Sequence, residues 1–344
     1  MEAKVTYKSA GIDVNETDAA KRAMGAIITD ERNTLNRFGA FASLIKLDTS
    51  RFSDPVLVMK TEEPGSKQLL AFEHDRVESV CADMINHLVN DCIVMGAEPL
   101  AVQDAIICGK FDKDLVLRAV RAMSDACKDN ECALVGGETS VQPGVLGPGV
   151  YVLTSSIIGL VDRAKIVDGQ QIRPGDSVIA VASNGLHTNG YTLVRALMKK
   201  NPALAASPVG GTTFLEAILK VHTPYYRAFK PLIQAGKLTG MAHITGGGIA
   251  DNLARVLPGE VDAEVDLGKV KTLPVFSTIR KEASLEDAEM LRTFNCGVGM
   301  VLVARSGDAA AIVASLASSG LDSYAIGTVV AGSGKVRLEG RVSW

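Results

Sequence analysis

Apolar and polar positions follow two different periods along this chain, and the switches between them mark the elements. Short apolar runs closed by Gly, Pro or Asp occur at 55–62 (PVLVMKTE), 100–109 (LAVQDAIICG), 133–140 (ALVGGETS) and 151–161 (YVLTSSIIGLV), and they predict strands. Between them, 75–95 and 112–128 carry apolar positions at helical spacing. The polar stretch DGQQIRPGD at 168–176 contains Gly and Pro and separates this set from a new strand, SVIAVAS, at 177–183. The alternation then resumes: a helix at 190–200, helical segments between 213 and 235, the strand MAHIT, a helix at 248–257, the strand AEVDLG and helices near 275 and 288. The strand GVGMVLVA at 297–304, a helix at 308–319 and the strands SYAIGTVVA and KVRLEG complete the chain.

A doubly wound parallel sheet would also alternate in this way. No GxGxxG follows an early strand, however, and several connections read as crossovers of a split β-α-β arrangement. The expected fold class is α+β with two domains, 1–168 and 169–344. A chain of 344 residues, 47% hydrophobic and 22% charged, has the material for one large core or two ordinary ones.

Charge and cysteine usage remove several function classes. Lys and Arg number 36 against 39 Asp and Glu, and no basic block is present to neutralise a run of phosphates, so a nucleic-acid partner is not expected. No apolar stretch reaches signal-peptide length near the start or membrane-span length elsewhere, which predicts a soluble, cytoplasmic protein with no membrane partner. The six cysteines form no CxxC pair and lack a nearby His at ligand spacing, so they read as buried thiols.

Candidate chemistry begins on the helix at 75–95. Val77, Val80, Cys81, Met84, Leu88 and Cys92 share one arc; Asp83, Asn86, His87 and Asn90 share the other. Asp91 falls on the apolar side, where an ionised carboxylate needs a cation or several donors. It reads equally as a loop cap, an Arg partner or a magnesium ligand. Thr61-Glu62-Glu63-Pro64-Gly65-Ser66-Lys67 places carboxylates and Lys67 at a strand end beside a Gly turn, and Gly136-Gly137-Glu138 pairs close backbone approach with a hard oxygen. Both also fit ordinary turns. In the second half, Ser183–Gly190 and His243–Gly248 each lie between a strand and a helix, each with a His, which suggests a substrate site; a hydrogen-bonded loop histidine is the competing reading for His187 and His243. No GxxxxGK[ST], GxSxG or HExxH occurs, so phosphate chemistry here would use separated carboxylates with magnesium.

Together, YKSAGID (7–13), VND (89–91), MGAEPL (95–100), LVGGETS (134–140), GLHTNGYTLVR (185–195), HITGGG (243–248) and CGVGM (296–300) make the chain resemble the phosphoribosylformylglycinamidine cyclo-ligases, in that family's order and over nearly the whole length. The resemblance implies ATP-dependent ring closure of formylglycinamidine ribonucleotide to aminoimidazole ribonucleotide in purine synthesis, with ATP and Mg2+. It implies an N-terminal domain pairing across a homodimer into an interface β-barrel, and a C-terminal α+β domain on the substrate side. By position, Glu62, Asp91, Asp83 and Glu138 would serve the metal. Lys67, Gly65, Ser66, Gly136, Gly137, Glu138 and Asp104 would line the nucleotide. His187, Thr188, Asn189 and Gly190, with Thr245, Gly246, Gly247 and Gly248, would hold substrate, and Asp91, His187, His243 and Lys67 would carry the chemistry.

The chain departs from the family where TDGVGTK is usual: the Asp position holds Glu62, a Gly is Glu63 and a Val is Pro64. The preceding Gly-rich stretch is thinner, Asn36-Arg37-Phe38-Gly39-Ala40-Phe41. A longer carboxylate at 62 bears on metal geometry, because octahedral magnesium tolerates little misplacement. Two alternatives follow: another ATP-dependent enzyme of the same superfamily acting on a different small substrate, or a non-catalytic nucleotide-binding paralogue.

Overall fold

The computed structural model describes residues 5–28, 34–36 and 38–344. Arg37, part of the thinned Gly-rich stretch, lies outside the described residues. Helix α1 (Val14–Ile27) has no counterpart among the expected elements. It begins on Asp13, whose side chain accepts from the Asn15 N–H, and buries only Ala20, Met24 and Ile27.

The first sheet follows. Strand β1 (Pro55–Glu62) leads through the short helix α2 (Lys67–Glu73) into α3 (Val77–Ile93), then β2 (Glu98–Cys108), α4 (Lys113–Asp129), β3 (Ala133–Val141) and β4 (Tyr151–Asp162). The helix expected from residue 75 starts two residues later. Asp75, with φ 51°, sits in the left-handed region between α2 and α3. Strand order is β1-β4-β2-β3: β2 and β3 are parallel and joined by the α4 crossover, while β4 runs antiparallel to β1 and β2. This is the split β-α-β arrangement expected from the sequence.

The second sheet contains β5 (Ser177–Ala182), β8 (Gly240–His243), β9 (Val261–Asp266), β10 (Val298–Ala304), β11 (Ser323–Ala331) and β12 (Val336–Glu339), in the order β12-β9-β11-β5-β10-β8. A two-residue hairpin, β6 (Pro208–Val209) and β7 (Thr212–Thr213), stands apart. The helices are α5 (Tyr191–Lys200), α6 (Phe214–Ile218), α7 (Tyr226–Gln234), α8 (Gly248–Ala254), α9 (Pro274–Ala283), α10 (Asp287–Thr293) and α11 (Ala309–Ser318). Strand β5 alternates its buried residues: Val178 and Ala180 join a core with Ile249 and Leu253 of α8, while Ile179 and Val181 join the core that also holds α3, α4, α7 and α11. That second core runs without interruption from the first sheet into the second, which fixes the two halves against each other. All six cysteines are buried, and none is in a disulfide among the described residues.

Helix α3 is buried on nearly every side. Its polar arc meets the second half of the chain: Asn86 donates to the His222 carbonyl (2.8 Å), Asn90 to the Thr223 carbonyl (2.9 Å), and the Asp83 carboxylate accepts from the His222 N–H (2.7 Å). An arc rich in amides and poor in charge is suited to such a contact, because amides can satisfy backbone groups without the desolvation cost of ions.

Candidate active site

Side chains projecting from β1 and α3 converge where the two sheets meet. On β1, Lys60 and Glu62 share one face by the strand's two-residue period; on α3, His87 and Asp91 are four apart and share one side. Lys60 Nζ is 3.1 Å from Asp91 and 3.8 Å from Glu62, and His87 Nε2 is 3.3 Å from Glu62. His243, at the end of β8, approaches Asp91 Oδ1 through Nδ1 at 2.7 Å. Burial works to raise the Asp91 pKa, but the His243 hydrogen bond, with the charges around it, holds it well below the carboxylate range. For Glu62 burial pushes the pKa up against the pull of Lys60. Burial likewise pushes His87 down to about 3, so this imidazole is neutral; its Nδ1 lies 2.8 Å from Thr188 Oγ1.

Four of the five histidines of the chain gather here. His187 stacks on His222 with centroids 3.7 Å apart, and His222 Nε2 lies 3.2 Å from His243 Nε2. Residue His187 holds φ 61°, a left-handed conformation costly for a side chain with a Cβ. Two sets bring one ligand atom per residue within 4.8 Å of one another: His187, His222 and His243, and His87, Asp91 and His243.

The placement of Lys67 and Asp83 corrects the expectation that one faces phosphates and the other a metal. Both side chains are fully buried, with Lys67 Nζ 2.7 Å from Asp83 Oδ2. The ammonium also donates to the carbonyls of His187 (3.1 Å) and Lys220 (2.7 Å). Lys67 opens α2 rather than a turn, and its charge is spent on the contact between the two halves.

Asp104, Gly136, Gly137 and Glu138 lie across the first sheet. Register pairs Glu62 with Ser155, Ser155 with Asp104, and Asp104 with Gly137, so these four form one row through all four strands. A side chain at Gly137 would overlap the Asp104 carbonyl and carboxyl, which explains a glycine there. Burial pushes Asp104 up to about 7. Glu138 is exposed, three strands from Glu62, in a cavity of about 970 Å³ between β3 and α1 that also receives Lys21, Arg22 and Asn36. The structure therefore separates the expected residues into a carboxylate–imidazole centre and a glycine-lined cavity at the far end of the row.

The two second-half loops meet. A Cβ at Gly246 would touch Asn189 Oδ1 at 3.4 Å, and one at Gly65 would touch the Thr188 carbonyl at 3.4 Å. Asn252 donates to the carbonyls of Gly246 (3.2 Å) and Gly248 (2.8 Å) and so fixes the glycine loop from within α8. Thr245 Oγ1 reaches the same side chain at 3.3 Å. A side chain at Gly248 would overlap the Leu291 carbonyl, and Gly190 takes φ 82° at the start of α5. Ser66 Oγ lies 3.5 Å from Thr192 Oγ1.

Sequence reasoning passed over Lys60 and His222 and left His87 as one member of a polar arc. The i, i+2 pairing of Lys60 with Glu62 and the i, i+4 pairing of His87 with Asp91 were local signals for two of them. His222 had none, since it reaches α3 only through contacts 132 to 139 residues apart in sequence.

Comparison with known proteins matches two family models: AIR synthase related protein, N-terminal domain, over residues 43–161, and AIR synthase related protein, C-terminal domain, over 173–339. A phosphoribosylformylglycinamidine cyclo-ligase of Methylobacillus flagellatus is 38% identical over 342 residues, covering 97% of each chain. The enzyme of the same name from Bacillus mycoides is 36% identical over 339 residues, covering 97% of this chain and 98% of its own. Among solved structures, hydrogenase maturation protein HypE in complex with ATP superposes with a TM-score of 0.68 at 17% identity, covering 96% of this chain and 93% of that one. Thiamine-monophosphate kinase from Stenotrophomonas maltophilia gives 0.65 at 17% identity, covering 94% and 96%.

Proposed function

The chain belongs to the AIR synthase related family, among the phosphoribosylformylglycinamidine cyclo-ligases, and on that premise we propose how its residues divide the work. The enzyme is a ligase of purine biosynthesis that closes formylglycinamidine ribonucleotide to aminoimidazole ribonucleotide with ATP. Transfer of the ATP γ-phosphoryl group to the formyl oxygen with release of ADP, followed by attack of the amidine nitrogen on the activated carbon with loss of a proton and of phosphate, asks the protein mainly for positioning and charge neutralisation. The observation that carries the assignment is the convergence of Glu62, Lys60, Asp91 and His243 at the junction of the two halves, beside the paired loops at 188–190 and 245–248.

The donor set fits magnesium. Glu62 and Asp91 supply desolvated carboxylate oxygens with Lys60 as their one nearby ammonium, and Glu62 would hold the ion with Asp91. When bound, magnesium supplies charge neutralisation at phosphoryl oxygens. Asp104 is the buried carboxylate next along the row, toward the nucleotide-facing Gly136, Gly137 and Glu138. His243 holds Asp91 in its ionised form and in one orientation, while Lys60 places a positive charge beside both carboxylates. Thr188, Asn189 and Gly190 with Thr245 to Gly248 would bind the ribonucleotide. Gly65 and Ser66 border that loop, and His187, nearly inaccessible beneath it, would act by supporting Thr188.

A homodimer through the first sheet is part of this reading: Leu57 and Met59 on β1 are 51% and 73% exposed, on the face opposite α3. The division at residue 168 is supported by the first sheet closing at Asp162 and the second opening at Ser177. In a single-turnover reaction with magnesium and ATP, ADP release should require formylglycinamidine ribonucleotide. Release at the same rate without it would overturn the assignment in favour of a different acceptor.

A further inference from the structure

Beneath the carboxylate pair, three imidazoles meet whose hydrogen bonds do not close among themselves. His243 faces Asp91 Oδ1 through Nδ1, so the proton is assigned to Nδ1 and Nε2 keeps its lone pair. His222 faces the Thr223 carbonyl through Nδ1 at 3.2 Å, and donation there also leaves Nε2 an acceptor. Those two Nε2 atoms face each other at 3.2 Å. Against them lies His187, 1% exposed, with no hydrogen-bond partner for either ring nitrogen among the described residues. Burial holds His187 and His222 well below the usual imidazole pKa, which keeps them in the neutral, ligating form.

We propose that His187, His222 and His243 form a binding site for one divalent transition cation of the zinc class. Three nitrogen donors suit zinc, cobalt or nickel, whereas magnesium takes oxygen. Ligands 2.0–2.1 Å from a tetrahedral ion stand about 3.3 Å apart, close to the spacing of the two Nε2 atoms. The Asp91 carboxylate on His243 and the Thr223 carbonyl on His222 are the outer acceptors that fix tautomer and ring orientation in metal sites. His187 supplies the third nitrogen after its ring turns off the face of His222, and a water or other oxygen completes the shell. The three ligands come from the segment before α5, the segment between α6 and α7, and the end of β8, so the ion ties together three connections. The site stands on the imidazole geometry alone and is independent of the cyclo-ligase assignment.

A metal-free arrangement competes with it. Asn90 Nδ2 lies 3.3 Å from His222 Nδ1; if it donates there, His222 donates through Nε2 to His243 and the pair is satisfied without an ion, with His187 still unpartnered. The test uses the full chain without a polyhistidine tag, stripped by chelator and titrated with Zn2+ or Co2+ alone. One ion per chain is expected, with visible absorption characteristic of tetrahedral Co2+. His222→Gln should weaken binding by about 100-fold or more. Substitution of His74, the C-cap of α2, and Glu62→Gln should leave binding unchanged. Absence of stoichiometric binding, or binding that survives His222→Gln, overturns the proposal; loss in Glu62→Gln instead places the ion at the carboxylates and also overturns it. Should His222→Gln not fold, the unmodified chain decides: a Zn2+-dependent, chelator-reversible rise in Tm with tetrahedral Co2+ absorption supports the site, and absence of either overturns it.

Discussion

Lys67 and Asp83 form a fully buried ion pair, 2.7 Å apart, whose ammonium also binds the carbonyls of His187 and Lys220. Burial pulls Lys67 down and pushes Asp83 up to about 6, and their mutual attraction opposes both shifts. Removing one partner strands the other, fully buried, without its counterion. Lys67→Met is therefore expected to lower unfolding free energy by about 3–5 kcal/mol, and pairing it with Asp83→Leu should recover much of that. Denaturant midpoints of the single and double variants check this. A Lys67→Met variant of unchanged stability with a raised KM for ATP would return the lysine to the phosphates.

Asp91 receives the His243 Nδ1–H and lies beside Lys60, so its charge organises the centre. Asp91→Asn keeps the shape and removes the charge. It should reduce turnover on the order of 100-fold while leaving the circular dichroism spectrum intact. Near-normal turnover would remove Asp91 from the metal shell. Glu62→Asp, tested alongside, should retain activity but change the ratio of magnesium- to manganese-supported rates, because the shorter side chain withdraws its oxygens from the pair.

Asp104 gives a pH dependence whose sign is fixed by its surroundings. Burial raises its folded-state pKa to about 7, above its unfolded value, so the folded chain binds the proton more tightly. The associated stability is fully present below the unfolded value near pH 4 and is lost as pH rises through about 7. In metal-free buffer, Tm should fall between pH 5.5 and 8, and Asp104→Asn should flatten that decline. An identical decline in Asp104→Asn would show that another group is responsible.

The strands and most helices could be read from the sequence because their apolar periods are local. PVLVMKTE corresponds to β1 residue for residue, and the crossover through α4 was visible in the order of elements. Helix α1 was missed because only three of its positions are buried. The site was half legible. Asp91 drew attention as a carboxylate on an apolar arc, and HTNG and HITGGG as glycine loops. The use of α3's polar arc was not legible, because the backbone groups of His222 and Thr223 that Asp83, Asn86 and Asn90 bind lie more than 130 residues away. Lys67 looked available beside a Gly turn because its counterion Asp83 stands on the next helix, α3, and only the packing of α2 against α3 brings the two together.

Coupling of ATP cleavage to ring closure, proposed for the carboxylate–imidazole centre, ties the two products to each other. The decisive experiment quantifies ADP and aminoimidazole ribonucleotide together, from the purified chain with magnesium, ATP and formylglycinamidine ribonucleotide. Both products should appear in equal amounts, and neither when the ribonucleotide is left out. ATP bound with neither product formed, or ADP produced without aminoimidazole ribonucleotide, would contradict that coupling.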